Sequence, residues 1–170
     1  GHLILVDAVS QLLEKRVLNI EVLFFGPDQN KLLKEKIENS IRQKNLQNII
    51  KFYGSTKKMN LIYALSDIVI SSSTDPEAFG RVSIEAQAMG KLIIASAHGG
   101  SQETILEGKT GYLYSPKNPF ELMEKISSAI DQKTYSSNEM SASAIEHIKS
   151  NYGKDKMCKK TLEFYQEIIG

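Results

Sequence analysis

Short apolar runs alternate with longer amphipathic segments along this chain, and this alternation constrains the fold more than any other feature of the sequence. The apolar runs have the composition of buried strands and lie at residues 20–25, 49–53, 68–71, 92–96 and 112–114. The amphipathic segments have helical spacing and lie at 3–15, 31–44, 59–65, 81–89 and from Pro119 onward, with breaks near Ser136-Ser137 and Asn151-Tyr152-Gly153. Strands that alternate with helices predict βαβ units, and therefore an α/β fold with a parallel sheet flanked by helices on both faces.

The composition is that of one soluble domain with balanced charge. The chain has 170 residues, 21 basic and 20 acidic side chains and a net charge of +1. This balance leaves no polycationic face, so nucleic acid is not an expected partner. Cys158 is the one cysteine and cannot form an internal disulfide, which favours a cytoplasmic protein. No apolar run approaches the roughly 20 residues of a membrane-spanning helix, so we expect at most a peripheral contact with the inner face of the membrane.

Three loops follow the carboxyl ends of predicted strands, where open α/β sheets bind ligands. They lie at residues 53–56, 72–80 and 97–103, and the last contains a predicted loop at 98–101. The middle loop carries Glu77 and leads through Gly80 into the helix at 81–89. The free N–H groups at that helix start form an anion site suited to a diphosphate. Glu85, about one turn into the helix, can accept two hydrogen bonds from the vicinal diol of a ribose.

The separation of Glu77 and Glu85 is weak evidence when it is taken alone. The chain has 14 glutamates, so chance predicts about one pair at this separation. Glu77 could be a solvated loop residue, and Glu85 could simply complement the helix dipole. The loop, the glycine and the helix start around the pair favour a binding site.

The segment from Glu77 to Gly90 resembles the E-x7-E motif of the GT-B-fold retaining glycosyltransferases, the "glycosyl transferases group one" family. Glu77-Ala-Phe-Gly80 and Glu85-Ala-Gln-Ala-Met-Gly90 match the motif position by position. The family pattern continues with an apolar strand, a Gly-Gly loop, an acidic residue and a Gly-x-x-Gly turn. This chain has the strand at 92–96, then Gly99-Gly100, Glu103 and the turn at 108–111.

The resemblance implies roles for the matching positions. Glu77 would contact the donor sugar as the catalytic residue, and Glu85 would bind the ribose hydroxyls. The residues near the donor sugar and diphosphate would be Phe79, Gly80, Arg81, Val82, Gly99, Gly100 and Glu103. The residues beside the nucleobase would be Tyr53, Gly54 and Ser55. The resemblance implies no metal ion and no cofactor, and the donor would be a UDP-, GDP- or ADP-sugar.

The implied fold is a Rossmann-like domain, the C-terminal half of a GT-B enzyme. The family's first strand, an Arg and a Lys that hold the diphosphate, and the acceptor-binding N-terminal domain have no counterpart in these residues. We therefore expect the chain to be a donor-binding domain that is inactive alone. The complete protein would be a retaining, metal-independent hexosyltransferase acting on a cell-envelope glycolipid or polysaccharide. A non-catalytic nucleotide-sugar-binding module and a GT-B-fold nucleotide-sugar epimerase are the alternatives.

Some residues have two interpretations. Arg81 stands at a variable position and either assists the phosphates or is an exposed arginine at a helix start. His98 either contacts a sugar hydroxyl or is structural, and we favour the structural role. The segment from Lys154 to Lys160 contains four lysines. It either meets a membrane or an acidic partner or, as we favour, forms a solvated helix face with Met157 and Leu162 turned inward. The aromatic residues predicted to lie in the core are Tyr112, Tyr114 and Phe120.

Overall fold

The computed structural model describes residues 1–16, 18–27, 30–131 and 138–169. The strands are β1 (Val22–Phe25), β2 (Ile50–Tyr53), β3 (Ile68–Ser71), β4 (Leu92–Ser96) and β5 (Tyr112–Tyr114). The helices are α1 (His2–Lys15), α2 (Lys31–Gln43), α3 (Met59–Leu65), α4 (Arg81–Ala88), α5 (Gly100–Thr104), α6 (Pro119–Asp131), α7 (Asn138–Tyr152) and α8 (Lys154–Ile169). The predicted break at Ser136-Ser137 lies outside the described residues. The break near Gly153 is confirmed, because α7 ends and α8 begins on either side of it.

All strand pairings between the named strands are parallel, as the alternation of strands and helices predicts. β1 pairs with β2, with Val22 opposite Ile50. β4 lies between β3 and β5, with Ile68 opposite Leu92 and Ile94 opposite Tyr112. The strands thus form two parallel sheets. In the part of the chain that the structure describes, no ladder joins β1 to β3. A Rossmann strand order places its first strand between these two positions.

Strand β4 is the centre of the fold, because all of its residues are buried. Leu92 and Ile94 point into one apolar cluster that includes residues of α1, α2 and α6. Ile93 and Ala95 point to the opposite face, into a second cluster that includes residues of α3 and α4. The alternation follows from the pleat of a strand. Helices therefore cover both faces of the sheet, and loops form its carboxyl edge.

The predicted loop at 98–101 is wrong in its second half. Helix α5 begins at Gly100, and the Thr104 hydroxyl donates to the Gly100 carbonyl at 2.9 Å. The Thr104 carbonyl in turn accepts a hydrogen bond from the buried side-chain amide of Gln87 at 2.9 Å. Two adjacent glycines indicate a loop locally, but here the contact with α4 stabilises a short helix.

The prediction that Phe120 lies in the core is also wrong. Tyr114 is 1% exposed and Tyr112 is half-buried, whereas Phe120 is 50% exposed. The Phe120 ring lies on the surface at the start of α6, with the Lys15 ammonium 4.8 Å from its centroid. A lysine ammonium over an aromatic face is a favourable contact, and it stabilises the Phe120 ring at the surface.

Helix α8 contradicts the favoured interpretation of its sequence. Met157 and Leu162 are 62% and 63% exposed, and none of the helix's residues is buried. Neither side chain therefore turns inward, and the expected inward-facing side of this helix is wrong. No helix among the described residues is long and apolar enough to cross a membrane.

Candidate functional site

The loop after β3 holds the Glu77 carboxylate through serine hydroxyls. Oε1 of Glu77 accepts hydrogen bonds from the Ser71 hydroxyl, at 3.3 Å, and from the Ser73 hydroxyl. Glu77 is half-buried, and Ser71 is the last residue of β3. A carboxylate held in this way has a defined orientation, which a freely solvated loop residue lacks. This geometry favours the binding-site interpretation of Glu77.

Gly80 makes the turn from this loop into α4. Its φ of +69° lies in the left-handed region, which glycine adopts without strain. A Cβ at Gly80 would also lie 3.3 Å from the Gly100 carbonyl carbon. No side chain caps the start of α4, which begins at Arg81 and continues through Val82. Its first N–H groups therefore remain available to a ligand, and the helix dipole favours an anion there.

The Gly99-Gly100 pair packs directly on the Glu77 loop. The Gly100 N–H donates to the Glu77 carbonyl at 2.7 Å. A Cβ at Gly99 would lie 2.4 Å from the Glu77 carbonyl oxygen, and one at Gly100 would lie 2.4 Å from the Phe79 carbonyl carbon. Only a residue without a side chain fits at either position. The loops after β3 and β4, predicted separately from the sequence, therefore form one packed unit at the carboxyl edge of the sheet.

Both oxygens of the Glu85 carboxylate accept hydrogen bonds within the chain. Oε2 accepts from the Tyr63 hydroxyl at 2.9 Å, and Oε1 accepts from the Arg81 guanidinium at 2.9 Å. Burial, and then the hydrogen bond and charge of Glu85, raise the pKa of Tyr63, so its hydroxyl stays a donor. The Arg81 side chain is 82% exposed, which makes this ion pair weak and open to exchange.

Tyr53 ends β2 at the open edge of the other sheet. Its ring is 46% exposed and stacks on Phe25, with 5.3 Å between centroids and 21° between planes. Gly54 and Ser55 follow it and are exposed. A paired aromatic surface next to an open backbone can stack a planar base. This geometry is compatible with the expected place of these residues beside a nucleobase, and that role stays a prediction.

The start of α1 lies against the loop after β3. A Cβ at Gly1 would lie 1.3 Å from the Ser72 carbonyl oxygen, so the first residue sits directly on that backbone. The His2 ring meets Phe24 edge-on at 4.9 Å. Burial lowers the pKa of His2. Like α4, helix α1 thus begins beside this loop.

The end of α7 packs on the far side of Phe79. The Tyr152 ring meets Phe79 at 6.1 Å with 68° between planes, and its hydroxyl donates to the Glu103 carbonyl at 2.7 Å. Phe79 is 53% exposed, and the Glu103 side chain is exposed as well. The backbone of Glu103 is therefore fixed, while its carboxylate remains available to a ligand.

His98 has neither ring nitrogen exposed to solvent, and neither has a hydrogen-bond partner among the described residues. A sugar hydroxyl could reach these nitrogens only after the ring moved. The described part of the structure thus provides no partner that would assign His98 a structural role, and its role stays a prediction. No group of three or more histidine, cysteine, aspartate or glutamate side chains in the described ranges is arranged to hold a metal ion.

Sequence reasoning missed the residues that orient the two glutamates. The partners of Glu77 are Ser71 and Ser73, and the fixed partner of Glu85 is Tyr63. The serine-rich stretch at 71–73 was a signal that donors surround Glu77. Tyr63 gave no such signal, because an aromatic residue in a short amphipathic helix is typical of core packing.

These observations define the chain as a Rossmann-like α/β domain with a packed pair of loops at the carboxyl edge of its sheet, the fold of the C-terminal half of a GT-B glycosyltransferase. Residues 1–150 match the family described as Glycosyl transferases group 1, and the chain belongs to this family.

Three relatives illustrate the similarity. The lipopolysaccharide 1,2-N-acetylglucosaminetransferase of Salmonella typhimurium is 34% identical over 143 residues, which are 78% of this chain and 36% of that protein. A glycosyltransferase from Rickettsia africae has a TM-score of 0.90 at 35% identity, covering 99% of this chain and 44% of its own. Anabaena HepE, solved with UDP-glucose, has a TM-score of 0.89 at 25% identity, covering 98% of this chain and 45% of its own. The chain thus spans less than half the length of these relatives.

Proposed function

We propose that this chain is the donor-binding domain of a hexosyltransferase that moves a sugar from a nucleoside diphosphate sugar to an acceptor. The observation that carries the proposal is the packing of Gly99-Gly100 on the Glu77 loop beside the uncapped start of α4. This arrangement offers backbone N–H groups to an anion and a fixed carboxylate to a sugar within one short segment.

Each part of the donor has a matching group in this proposal. The diphosphate binds at the start of α4, where the backbone N–H groups of Arg81 and Val82 meet the positive end of the helix dipole. Glu77 accepts hydrogen bonds from the sugar hydroxyls, and Glu85 accepts them from the ribose. Tyr53 lies beside the base, on the surface that it shares with Phe25.

The relatives support a nucleoside diphosphate sugar as the donor. Anabaena HepE was solved with UDP-glucose, and the Salmonella typhimurium relative is an N-acetylglucosaminetransferase. A UDP-sugar is therefore the first donor to test, followed by GDP- and ADP-sugars. The family membership supports transfer over the epimerase and sensor alternatives.

We further propose that transfer retains the anomeric configuration and needs no metal ion. The acceptor oxygen attacks the anomeric carbon on the face that the diphosphate leaves. The carbon–oxygen bond to the diphosphate breaks, the bond to the acceptor forms, and the acceptor proton passes to the leaving diphosphate. The protein's task is to stabilise the charge that develops on the diphosphate, which the start of α4 can do.

The remaining parts of the proposal concern the whole protein. The chain spans less than half the length of the relatives named above, which supports a second domain that binds the acceptor. We propose a cytoplasmic protein, peripheral at most on the inner face of the membrane, with a cell-envelope glycolipid or polysaccharide as its acceptor.

The test begins with a thermal-shift screen of UDP-, GDP- and ADP-sugars on the full-length protein. The donor that stabilises it most is then incubated with and without chelator, and the products are analysed by NMR. We expect sugar release or transfer that persists in chelator and gives products of unchanged anomeric configuration. Stabilisation without turnover would indicate a sensor, an epimerised donor would indicate the epimerase, and no stabilisation by any donor would refute the proposed function.

A further inference from the structure

Tyr63 is fixed in the core at one end and bonded to the candidate ribose-binding carboxylate at the other. It is 5% exposed and is the buried residue of α3. Its ring belongs to the same apolar cluster as Val69 of β3 and Ala86 of α4. Its hydroxyl donates to Oε2 of Glu85 at 2.9 Å. The hydroxyl that donates to the Glu85 carboxylate is therefore held in place by the packing of the Tyr63 ring.

The second partner of Glu85 is of a different kind. Arg81 reaches Oε1 from the preceding turn of α4, but its side chain is 82% exposed. An exposed ion pair of this kind is weak and gives way to solvent or to another anion. When a diphosphate binds, the Arg81 guanidinium can exchange Glu85 for a phosphate oxygen, whereas the buried Tyr63 keeps its hydrogen bond to Glu85.

The chemistry of the tyrosine suits a permanent contact with a carboxylate that must also bind a ligand. Its raised pKa keeps the hydroxyl neutral, so it donates a hydrogen bond to Glu85 without cancelling the negative charge. An ionised carboxylate has about four lone-pair sites, so one bond from Tyr63 leaves capacity for two ribose hydroxyls.

We propose that Tyr63 is a positioning residue that fixes the orientation of the Glu85 carboxylate so that it accepts both hydroxyls of the donor's ribose. This inference rests on the proposed function, because it assumes that Glu85 binds a ribose. Without the Tyr63 hydroxyl, the Glu85 carboxylate would lose its fixed partner. The entropy cost of ordering the Glu85 side chain would then weaken ribose binding.

The test measures how strongly the full-length protein prefers a ribose with both hydroxyls. Calorimetry gives the dissociation constants of UDP and of 2′,3′-dideoxy-UDP for the wild type and for Tyr63→Phe, which keeps the ring and removes the hydroxyl. We expect the wild type to prefer UDP by about tenfold or more, and Tyr63→Phe to reduce that preference by about fivefold. Circular dichroism checks that the variant folds.

Two further variants separate positioning from a general effect on structure. Tyr114→Phe removes a hydroxyl from another buried tyrosine, which lies in the opposite apolar cluster, and should leave the preference unchanged. In a Glu85→Gln background, Tyr63→Phe should have little further effect on the preference, because the two residues act together.

The outcomes distinguish this inference from the function on which it rests. A wild type that prefers UDP, together with a Tyr63→Phe variant of unchanged preference, would overturn the role of Tyr63 alone. A wild type that binds both nucleotides equally would overturn the ribose role of Glu85, and that of Tyr63 with it. If the wild type bound neither nucleotide, that result would contradict both the proposed function with UDP as the nucleotide and the role of Tyr63.

Discussion

The backbone N–H of Gly100 donates to the carbonyl oxygen of Glu77 at 2.7 Å, and this bond joins the loops after β3 and β4. The contact is backbone to backbone, so its geometry is set by how closely the two chain segments approach. That approach is possible only because no side chain intervenes at Gly99 or Gly100. The position of the Glu77 backbone therefore depends on Gly99 and Gly100, which have no side chains that could contact a ligand.

Replacing Gly100 with alanine should push the two loops apart. The added methyl group would lie 2.4 Å from the Phe79 carbonyl carbon, and overpacking of this kind costs about 1–3 kcal/mol. We expect the free energy of unfolding, measured by urea denaturation, to fall by that amount and nucleotide affinity to fall with it. Gly54→Ala is the control for stability, because a Cβ at Gly54 would have no other atom within 4 Å. Equal stability of the two variants would contradict the packing argument.

Replacing Glu77 with alanine should remove most turnover and preserve the fold. Glu77 is half-buried at the carboxyl edge of the sheet, and of the two serines whose hydroxyls it leaves, Ser71 is buried and Ser73 is partly exposed. We expect the full-length enzyme to lose at least about a hundredfold in kcat, because Glu77 orients the donor sugar through its hydroxyls. Asp75→Asn, an exposed carboxylate of the same loop, is the matched control and should keep kcat within about twofold. Normal turnover of Glu77→Ala would refute the assigned role.

Replacing Arg81 with alanine should affect binding and leave stability nearly unchanged. The side chain is 82% exposed, so the free energy of unfolding should change by less than about 0.5 kcal/mol. If the guanidinium assists the phosphates, the variant should lose affinity for UDP more than for UMP, as calorimetry would measure. Lys109→Ala removes another exposed cation and serves as the control. If the variant lost equal affinity for UDP and for UMP, Arg81 would have no role at the phosphates and would serve only as the surface ion-pair partner of Glu85.

Glu121 should make the start of α6 sensitive to acid. Its carboxylate accepts a hydrogen bond from the Ser115 N–H at 2.8 Å, and its own N–H donates to the Asn118 side chain at 3.1 Å. Hydrogen bonding by the Ser115 side chain is the largest cause that lowers the pKa of Glu121 below its ordinary 4.5, and the Ser115 N–H lowers it further. The native state therefore gains stability above pH 4.5, and this gain is lost as pH falls through the lowered folded-state pKa.

The measurement compares Glu121→Gln with the wild type by urea denaturation across this pH range. The variant should be less stable near neutral pH, by about 1 kcal/mol or less because the carboxylate is partly exposed. The difference should shrink as acid protonates the wild-type carboxylate. Glu124→Gln, on the exposed side of the same helix, provides the matched control. A difference that does not change with pH would contradict the role of the charge.

Local patterns were sufficient for the elements and for the course of the chain from Glu77 to Glu85. The alternation of apolar runs and amphipathic segments predicts the order of strands and helices, because both periods are properties of neighbouring residues. The same holds for Glu77, Gly80 and Glu85, which lie within one loop and one helix start. A glycine followed by a helix start is a local pattern, and α4 begins at Arg81, directly after Gly80, as the sequence predicts.

The failures share one physical cause. Phe120 of α6 and Met157 and Leu162 of α8 are apolar residues that were expected to be buried, yet all three are exposed. Periodicity says which side chains share a face and leaves open whether another element covers that face. The start of α5 at Gly100 is a similar case, because its stability depends on Gln87 from a different helix.

The orientation of the Glu85 carboxylate was decided by a contact between elements, whereas the serines that hold the Glu77 carboxylate lie in the same strand and loop. Tyr63 and Glu85 are 22 positions apart, on different helices, and they meet only because α3 and α4 pack on the same face of the sheet. Glu77 is fixed from outside its own loop by the Gly100 N–H. Short-range sequence chemistry thus establishes the element order and which residue types stand at the carboxyl edge. The Tyr63 hydroxyl, which orients the Glu85 carboxylate, and the Gly100 N–H, which holds the Glu77 backbone, come from parts of the chain that only the packing of the sheet and helices brings together.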